Sequence, residues 1–407
     1  MSYVIYGLIA ALILWGVKFA GKNQFNNDFM SLEVTKCLQG ICAVCIICHH
    51  MSQTGAFQQT GELSLFHDMG VCFVGIFFFC SGYGLVKSML TKPGYMKTFL
   101  KKRLPVVLIP FYTMTLAFAV YDNVVGVHMN AVQWILSLTG LTLINSHAWY
   151  IVVIVLLYLA FYFSFTKIKS EKKAFTAIGI FILVQMILGV IWGHLAWWAG
   201  KPFWWQTQDG FSTAKWWMMP STWWFQGEWW INSTLLFFLG LLFARFEQPV
   251  TAWLKQKYWI KLLLLAVILV ISEIVSMQAL NNLSYWSEFG TVQSLGIKNK
   301  YICLITQSVY VTAFVFFVFM VMMKMRSINP VTKFLGKIAL EIYLMHNLFL
   351  MKFGYIIGSN PGATPVIADN RSNLILFAAI VICGAVIIGT IFNFLNHKLI
   401  KLAVRGK

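Results

Sequence analysis

Residues 69–89 read MGVCFVGIFFFCSGYGLVKSM, an apolar run of 21 residues whose only charged side chain is Lys87. About 20 such residues, each rising about 1.5 Å, form an α-helix long enough to cross the hydrocarbon core of a bilayer. The run does not alternate between apolar and polar positions, which excludes the strand of a membrane β-barrel. The stretch therefore predicts a transmembrane helix.

The same pattern recurs along the chain. Of its 407 residues, 59% are hydrophobic and 11% are charged, whereas a soluble domain has about a quarter charged residues. We therefore predict an all-α integral membrane protein with about eleven transmembrane helices. These helices are expected at residues 3–20, 34–52, 69–89, 104–121, 147–165, 174–198, 229–246, 259–280, 301–323, 336–357 and 373–395.

Lysine and arginine fall mainly on one side of the predicted membrane. With the N-terminus outside, 25 of the 31 basic residues lie in cytoplasmic loops or at helix ends on that side, as is usual for membrane proteins. We therefore predict an outward N-terminus and a cytoplasmic C-terminus. The net charge of +18 then reflects topology, and we expect no nucleic-acid partner. Residues 1–30 are predicted to form an additional N-terminal transmembrane helix with a linker, and residues 31–407 a ten-helix domain.

Two adjacent histidines lie at the end of the second predicted helix, which reads KCLQGICAVCIICHHM over residues 36–51. Imidazoles in an apolar span are costly unless they have partners or line a polar cavity. His49 and His50 point about 100° apart, and the helix rise places His50 near the outer face. A hydrogen-bonded structural histidine is the alternative to a functional base.

The same helix contains Cys45-Ile-Ile-Cys48-His49, the pattern of a c-type haem attachment site. A membrane-spanning helix leaves no room for a porphyrin. Cys42, Cys45 and Cys48 are spread along about 9 Å of one helix, so they cannot surround a metal ion. We expect buried thiols, no metal and no bound cofactor.

A third histidine lies in the tenth apolar segment. His346 is expected about 15 Å above Gly336, near the bilayer midplane, with Tyr343 in its neighbourhood. Glu341 follows Lys337 by four residues, a spacing that predicts an ion pair on one helix face. A histidine inside a span is a candidate functional residue.

Two other regions admit two interpretations each. The basic cluster at residues 97–103 either fixes topology or binds the phosphates of a cytosolic ligand, with Arg103 nearest the membrane. Residues 192–230 contain 11 of the 17 tryptophans. These indoles form either an interfacial aromatic belt or lid or a platform on which sugars stack.

Five segments, in this order over about residues 32–395, resemble the acyltransferase-3 family of bacterial membrane acyltransferases. The family's spacing of arginine, ten residues and histidine falls on Gln39 and His50. A glutamine thus replaces the arginine, and Lys36 lies one turn away. The other four segments are Phe78 to Gly82 (with one residue of slack), Arg103 to Tyr112, His147 to Trp149 and Leu335 to His346.

The resemblance implies an enzyme of the O-acetyltransferase type in the plasma or inner membrane. Such an enzyme moves an acyl group, usually acetyl, from cytosolic acyl-CoA to a hydroxyl of a cell-surface or lipid-linked glycan. Acyl-CoA is then a co-substrate rather than a bound cofactor. The glycan and membrane lipid are the expected partners, and homo-oligomerisation is left open.

The expected site residues follow the needs of this reaction. A sugar hydroxyl is a weak nucleophile at neutral pH, so a positioned base is useful. We expect catalytic roles for His50 and His346, donor binding by Arg103, Lys102, Lys36 and Gln39, and acceptor binding by His147, Trp149, Trp205, Trp217 and Trp224.

The alternative function is a transporter or flippase for a lipid-linked saccharide. In that case, intramembrane His and Glu side chains would form a proton relay. Broken helices in two matching halves would favour transport, and the sequence shows no such pair. Turnover of acyl-CoA separates the alternatives, because only the enzyme releases free CoA.

Overall fold

The computed structural model describes residues 1–124, 126–198, 230–283, 297–352 and 371–405. These ranges are almost entirely helical. The helices are α1 (Ser2–Leu14), α2 (Leu32–Ser52), α3 (Gly55–Thr60), α4 (Gly70–Thr91), α5 (Phe99–Val124), α6 (Ala131–Thr139), α7 (Trp149–Lys167), α8 (Glu171–Trp198), α9 (Leu235–Arg245), α10 (Glu247–Lys255), α11 (Tyr258–Leu283), α12 (Ile297–Met322), α13 (Pro330–Lys337), α14 (Ala339–Asn347) and α15 (Arg371–Arg405). The two short strands are β1 (Lys18–Phe19) and β2 (Met325–Arg326).

Eight helices in the described ranges are long and apolar enough to cross a membrane: α2, α4, α5, α7, α8, α11, α12 and α15. The pair α9 and α10, bent by 89°, would make a ninth span if it counts as one. Two further apolar helices, α1 and the one that runs from Ala339 to Leu350, are shorter. The chain is thus an all-α, multi-pass membrane protein. The number of eleven crossings and the orientation stay predictions.

Within the described residues every predicted apolar segment is helical, although some ends differ and the segment at residues 336–357 is divided. Helix α1 stops at Leu14 instead of continuing to residue 20, because the chain turns at Gly16, whose φ is +68°, and then pairs as β1. Helix α6 was not predicted. Its N-terminus is marked by a capping box between Asn130 and Gln133, a signal that was present in the sequence.

The helices pack as two compact units, of which the first comprises Met1–Phe77 and Val318–Lys407. At its centre α2 packs against α13 and α14, and α14 packs against α15. Apolar side chains fill these contacts, with Ile47 and Ile342 fully buried. The predicted separation of residues 1–30 from residues 31–407 concerns topology and stays a prediction.

The N-terminal helix is attached to the rest of the first unit through polar contacts. The Asn329 side-chain amide donates to the carbonyl oxygens of Leu12 at 2.8 Å and Trp15 at 3.2 Å. Strand β1 pairs antiparallel with β2. The buried Lys324 ammonium donates to the carbonyls of Gly21, Lys22 and Gln24 at 2.6–2.9 Å. These bonds fix the segment that joins α1 to α2.

The second unit comprises Phe78–Phe317. Here the last part of α4 crosses α9 at two glycines. A Cβ added at Gly82 would lie 3.0 Å from the carbonyl carbon of Phe237, and one added at Gly240 would lie 3.0 Å from the carbonyl carbon of Phe79. The small residues of the Ser81-Gly82 motif therefore serve helix packing, as expected for membrane helices.

Candidate functional site

Two histidines from distant parts of the sequence form a hydrogen bond inside the first unit. His50 Nδ1, on α2, lies 2.8 Å from His346 Nε2, on α14. The ring planes are parallel within 3°, and the centroids are 4.9 Å apart. This separation is about the N···N distance plus the two ring radii, so the bond lies along the ring planes, the favourable direction for an imidazole. His346 is fully buried and His50 is half-buried.

The backbone determines which nitrogen of each ring carries hydrogen. His346 Nδ1 lies 2.6 Å from the carbonyl oxygen of Tyr343, and a carbonyl can only accept. His346 Nδ1 therefore donates, which leaves a lone pair on Nε2 of the neutral ring. His50 Nδ1 must then donate to His346 Nε2, and His50 Nε2 carries a lone pair. The arrangement presents His50 Nε2 as a base whose ring is oriented by a second imidazole.

His49 lies in a different environment. Its Nδ1 donates to the carbonyl oxygen of Phe66 at 2.9 Å, and its ring lies against the start of α4. A Cβ added at Gly70 would be 2.7 Å from His49 Cγ. His49 is thus packed between α2 and the segment that precedes α4. The two adjacent imidazoles have different partners, as the angle of about 100° between them predicts.

The height of the histidine pair is set by a close crossing of α2 and α13. A Cβ added at Gly40 would lie 2.5 Å from the backbone nitrogen of Gly336, and one added at Gly336 would lie 2.7 Å from the carbonyl carbon of Lys36. Side-chain carbons do not approach backbone this closely, so both positions require glycine. His50 follows Gly40 by ten residues, and His346 follows Gly336 by ten. From this crossing, ten residues of α2 on one side and ten residues that include the break at Ile338 on the other bring both rings within hydrogen-bonding distance.

This geometry corrects the depths expected from the sequence. His50 was placed near the outer face and His346 near the midplane, because each height was counted from the start of its own apolar segment. At the level where Gly40 and Gly336 cross, α2 has already begun and α14 has not. The two rings therefore lie at the same depth, within hydrogen-bonding distance.

The tenth apolar segment is also not one continuous helix. The predicted span at residues 336–357 is interrupted at Ile338, which has φ −108° and ψ 11°. Because of this interruption, Glu341 does not pair with Lys337 as predicted. Its carboxylate accepts instead from the side-chain amides of Asn393 and Asn396, both at 3.2 Å. The carboxylate holds α14 against α15.

The predicted donor-binding residues lie in both units. In the first unit Lys36 is exposed and Gln39 is half-buried on α2, about one turn apart. In the second unit Lys102 is exposed. Arg103 bonds within that unit, through Nε to the Tyr95 hydroxyl at 2.8 Å and through Nη2 to the Ser88 hydroxyl at 3.3 Å.

The predicted acceptor-binding residues belong to the second unit. His147 lies in a short turn before α7, and its backbone N–H donates to the Asn145 side chain at 3.1 Å. Trp149 begins α7 and contacts Phe78, with ring centroids 6.4 Å apart. Trp205, Trp217 and Trp224 lie outside the described residues.

Sequence reasoning missed three parts of the site. They are the pairing of His50 with His346, the Tyr343 carbonyl that fixes the tautomer, and the Phe66 carbonyl that holds His49. The backbone carbonyls leave no signal in the sequence. The equal spacing of ten residues between glycine and histidine in two spans is a signal that could have predicted the pair.

Comparison with known proteins identifies the family of this chain. A family model described as an acyltransferase domain matches residues 36–394, which include both helices that carry the histidine pair. No curated protein and no solved structure matches the chain. The match covers most of the chain, and the fold has several helices that can cross a membrane. This protein is therefore a membrane acyltransferase that belongs to the acyltransferase-3 family.

Proposed function

We propose that the protein transfers an acyl group, acetyl in the first instance, from cytosolic acyl-CoA to a hydroxyl of a cell-surface or lipid-linked glycan at the plasma or inner membrane. The observation that carries the proposal is the bond from His50 to His346, which is itself oriented by the Tyr343 carbonyl. This arrangement gives one imidazole a defined tautomer with a lone pair on Nε2. Hydroxyl acylation needs a base of this kind.

In the proposed reaction His50 Nε2 takes the proton of the acceptor hydroxyl while the oxygen attacks the thioester carbonyl. The His50 ring is then positively charged, and its Nδ1–H bond to His346 Nε2 becomes charge-assisted, which strengthens it. The tetrahedral intermediate collapses with cleavage of the carbon–sulfur bond. The CoA sulfur takes the proton back from His50. The products are the glycan ester and free CoA, and both rings return to their starting tautomers.

The remaining residues are proposed to bind the two substrates. Lys36, Gln39, Lys102 and Arg103 are assigned to the donor. Positive side chains at the predicted cytoplasmic end suit its phosphates, and arginine provides a planar fork for them. His147, Trp149, Trp205, Trp217 and Trp224 are assigned to the glycan, because indole faces stack on sugar rings while polar groups bind the hydroxyls.

The test measures CoA release by the purified protein in lipid nanodiscs. Acetyl-CoA is supplied with a glycolipid extract as acceptor, and free thiol is followed with a chromogenic disulfide. We expect His50→Ala to lower the rate by about 10²–10⁴-fold, the usual effect of losing a positioned base. Folding is monitored by gel filtration. A wild-type protein that releases no CoA, yet moves lipid-linked saccharide across vesicles, would support the transporter instead.

His49→Ala is the matched control. His49 is adjacent in sequence and bonds the Phe66 carbonyl rather than His346. We expect His49→Ala to reduce thermal stability and to keep most of the rate per folded molecule. An inactive His49→Ala protein together with an active His50→Ala protein would move the base by one residue and contradict the assignment.

A further inference from the structure

A cavity opens beside α13, in the part of the first unit predicted to face the cytoplasm. Its volume is about 360 Å³, within the range of small-molecule sites. Two lysines on one helix face combine with apolar groups in its wall. The lining residues are Ile328, Asn329, Pro330, Lys333, Phe334 and Lys337.

The charge of this cavity is positive. Lys333 Nζ lies 2.6 Å from Glu33 Oε1, so part of its charge is compensated. The ion pairs among the described residues do not include Lys337, whose side chain is exposed to the cavity. Arg326 lies nearby, 3.7 Å from the same Glu33 carboxylate and 3.0 Å from Asp28. Lys337 therefore presents a cation to whatever occupies the cavity.

The side-chain amide of Asn329 is already engaged in hydrogen bonds. Its amide nitrogen donates to Leu12 and Trp15, and its Oδ1 accepts from the backbone N–H of Thr332 at 2.9 Å. The N-terminus of α13 is thus capped by its own residue. Recognition in this cavity depends on the lysines and on the apolar wall, which includes Phe334 with 40% of its surface exposed.

We propose that this cavity binds the phosphate end of the acyl donor. Lys337, assisted by Lys333, contacts the phosphates of CoA, and Phe334 and Pro330 lie against the adenine ring. Ammonium groups are effective phosphate ligands, and an aromatic side chain stacks on a purine. The inference rests on the proposed function, because it concerns the donor of that reaction, and it assigns the principal phosphate contacts to α13 rather than to Arg103.

The distance to the histidine pair fits the length of the donor. Lys337 precedes His346 by nine residues, with the break at Ile338 between them, so their separation is on the order of 14 Å, the rise of nine helical residues. The pantetheine arm of CoA contains two amide-linked segments, and it is comparable to an extended peptide of four to five residues with a reach of about 15 Å. The length of the arm is therefore comparable to the separation between Lys337 and the histidine pair.

The experiment measures CoA affinity by isothermal titration with the full-length protein in zwitterionic nanodiscs. We expect Lys337→Gln to raise Kd by about twofold to fivefold, an effect of the size known for partly exposed charged contacts. Lys337→Arg should recover most of the affinity. Lys333→Gln with Lys337→Gln should weaken binding further, and added salt should reduce the difference between variants and wild type.

Two controls show that the effect belongs to the cavity. Lys401 is an exposed lysine of the first unit outside the cavity, and Lys401→Gln should leave Kd unchanged. Thermal unfolding of each variant, including Lys337→Arg, is recorded, because a destabilised protein would also bind less CoA and imitate a binding defect.

The outcomes separate this inference from the proposed function. If the wild type binds no CoA, the donor of the proposed function is wrong. If the wild type binds CoA and Lys337→Gln binds it equally well, the reaction stands and the cavity assignment is overturned. If phosphatidylglycerol nanodiscs abolish CoA binding to the wild type but not to Lys337→Gln, the cavity is a lipid headgroup site, which also overturns the assignment.

Discussion

The two units each contain one close helix crossing made by a pair of glycines, and the two crossings serve different ends. In the first unit Gly40 and Gly336 bring α2 and α13 into backbone contact. In the second unit Gly82 and Gly240 do the same for α4 and α9. The backbone contacts at the two crossings are similar. The side chains that the two crossings position are different.

Imidazoles follow the first crossing, and hydroxyls surround the second. Ser81, next to Gly82, bonds the Tyr158 hydroxyl at 2.9 Å. Tyr83 donates to Glu247 at 2.9 Å. These bonds hold helices together with groups that remain neutral or ion-paired. The comparison shows that a glycine crossing is a packing device, and that its chemical value depends on which residues lie further along the two helices.

The strongest test of this comparison places a methyl group at each crossing. Gly336→Ala should lower acyl transfer per folded molecule by about a hundredfold, because displacing reacting groups by about 1 Å has effects of that size. Its free energy of unfolding should fall by about 1–3 kcal/mol, as for overpacked cores. Gly82→Ala should lose similar stability and keep its rate per folded molecule. CoA-release assays and thermal unfolding measure both quantities.

Open glycines provide the controls. A Cβ at Gly7 in α1 or at Gly84 in α4 would meet no atom within 4 Å, so alanine should be tolerated at both and should favour the helix slightly. If Gly82→Ala lost catalytic rate as severely as Gly336→Ala, the distinction between a positioning crossing and a packing crossing would be wrong.

A smaller effect is expected when the acceptor of the His50 bond is changed. His346→Leu removes the lone pair to which His50 Nδ1 donates, so the base loses its orientation. The rate should fall by about tenfold to hundredfold, less than for loss of the base itself. His346→Gln offers a carbonyl oxygen as acceptor and should recover part of the rate. Steady-state kcat at saturating acetyl-CoA is the measurement.

That recovery distinguishes positioning from direct catalysis. If His346→Gln and His346→Leu had equal rates, His346 would act through contact with substrate. Tyr158→Phe is the matched change in the second unit, since it removes one buried hydroxyl bond to Ser81. It should leave kcat unchanged.

The smallest effect concerns the loop that holds His49. Glu62 in that loop accepts from the hydroxyl and the backbone N–H of Ser2, and the Ser2 hydroxyl bond is the main cause of its lowered pKa. A lowered folded-state pKa stabilises the protein above the unfolded pKa of about 4.3. This stability, less than about 1 kcal/mol for a contact of this kind, is lost as pH falls from about 5 through the folded pKa.

A comparison of wild type with Glu62→Gln measures the stabilisation that ionised Glu62 provides. The melting temperatures of wild type and Glu62→Gln are compared between pH 7 and pH 3. The wild type should be slightly more stable at pH 7, and the two should converge at pH 3. A difference that grows as pH falls would contradict the predicted direction.

Much of the fold could be predicted from hydrophobicity alone. A run such as residues 69–89 must be helical in lipid, because its backbone groups have no other partners there. Hydrophobicity does not show breaks inside such a run. No proline marks the interruption at Ile338, so the pattern at residues 336–357 is the same for one helix or two.

The two histidines of the pair were predicted individually, and their arrangement was missed. His50 and His346 were recognised individually, because an imidazole in an apolar span requires an explanation. Their contact joins residues 296 positions apart and depends on the register of two helices. That register is set by backbone contact at Gly40 and Gly336, and the only trace of it in the sequence is the equal spacing from each glycine to its histidine.

The equal count of ten residues from each glycine to its histidine has a consequence for how this chain can vary. One residue inserted between Gly40 and His50 would rotate the ring by about 100° and raise it by about 1.5 Å. A second insertion in the partner helix would rotate the other ring as well and would not restore the bond. Active relatives can therefore exchange the residues between these positions but cannot add or remove one. We expect the two intervals to keep their length in relatives that use the same histidine pair, so they can anchor the alignment of distant sequences.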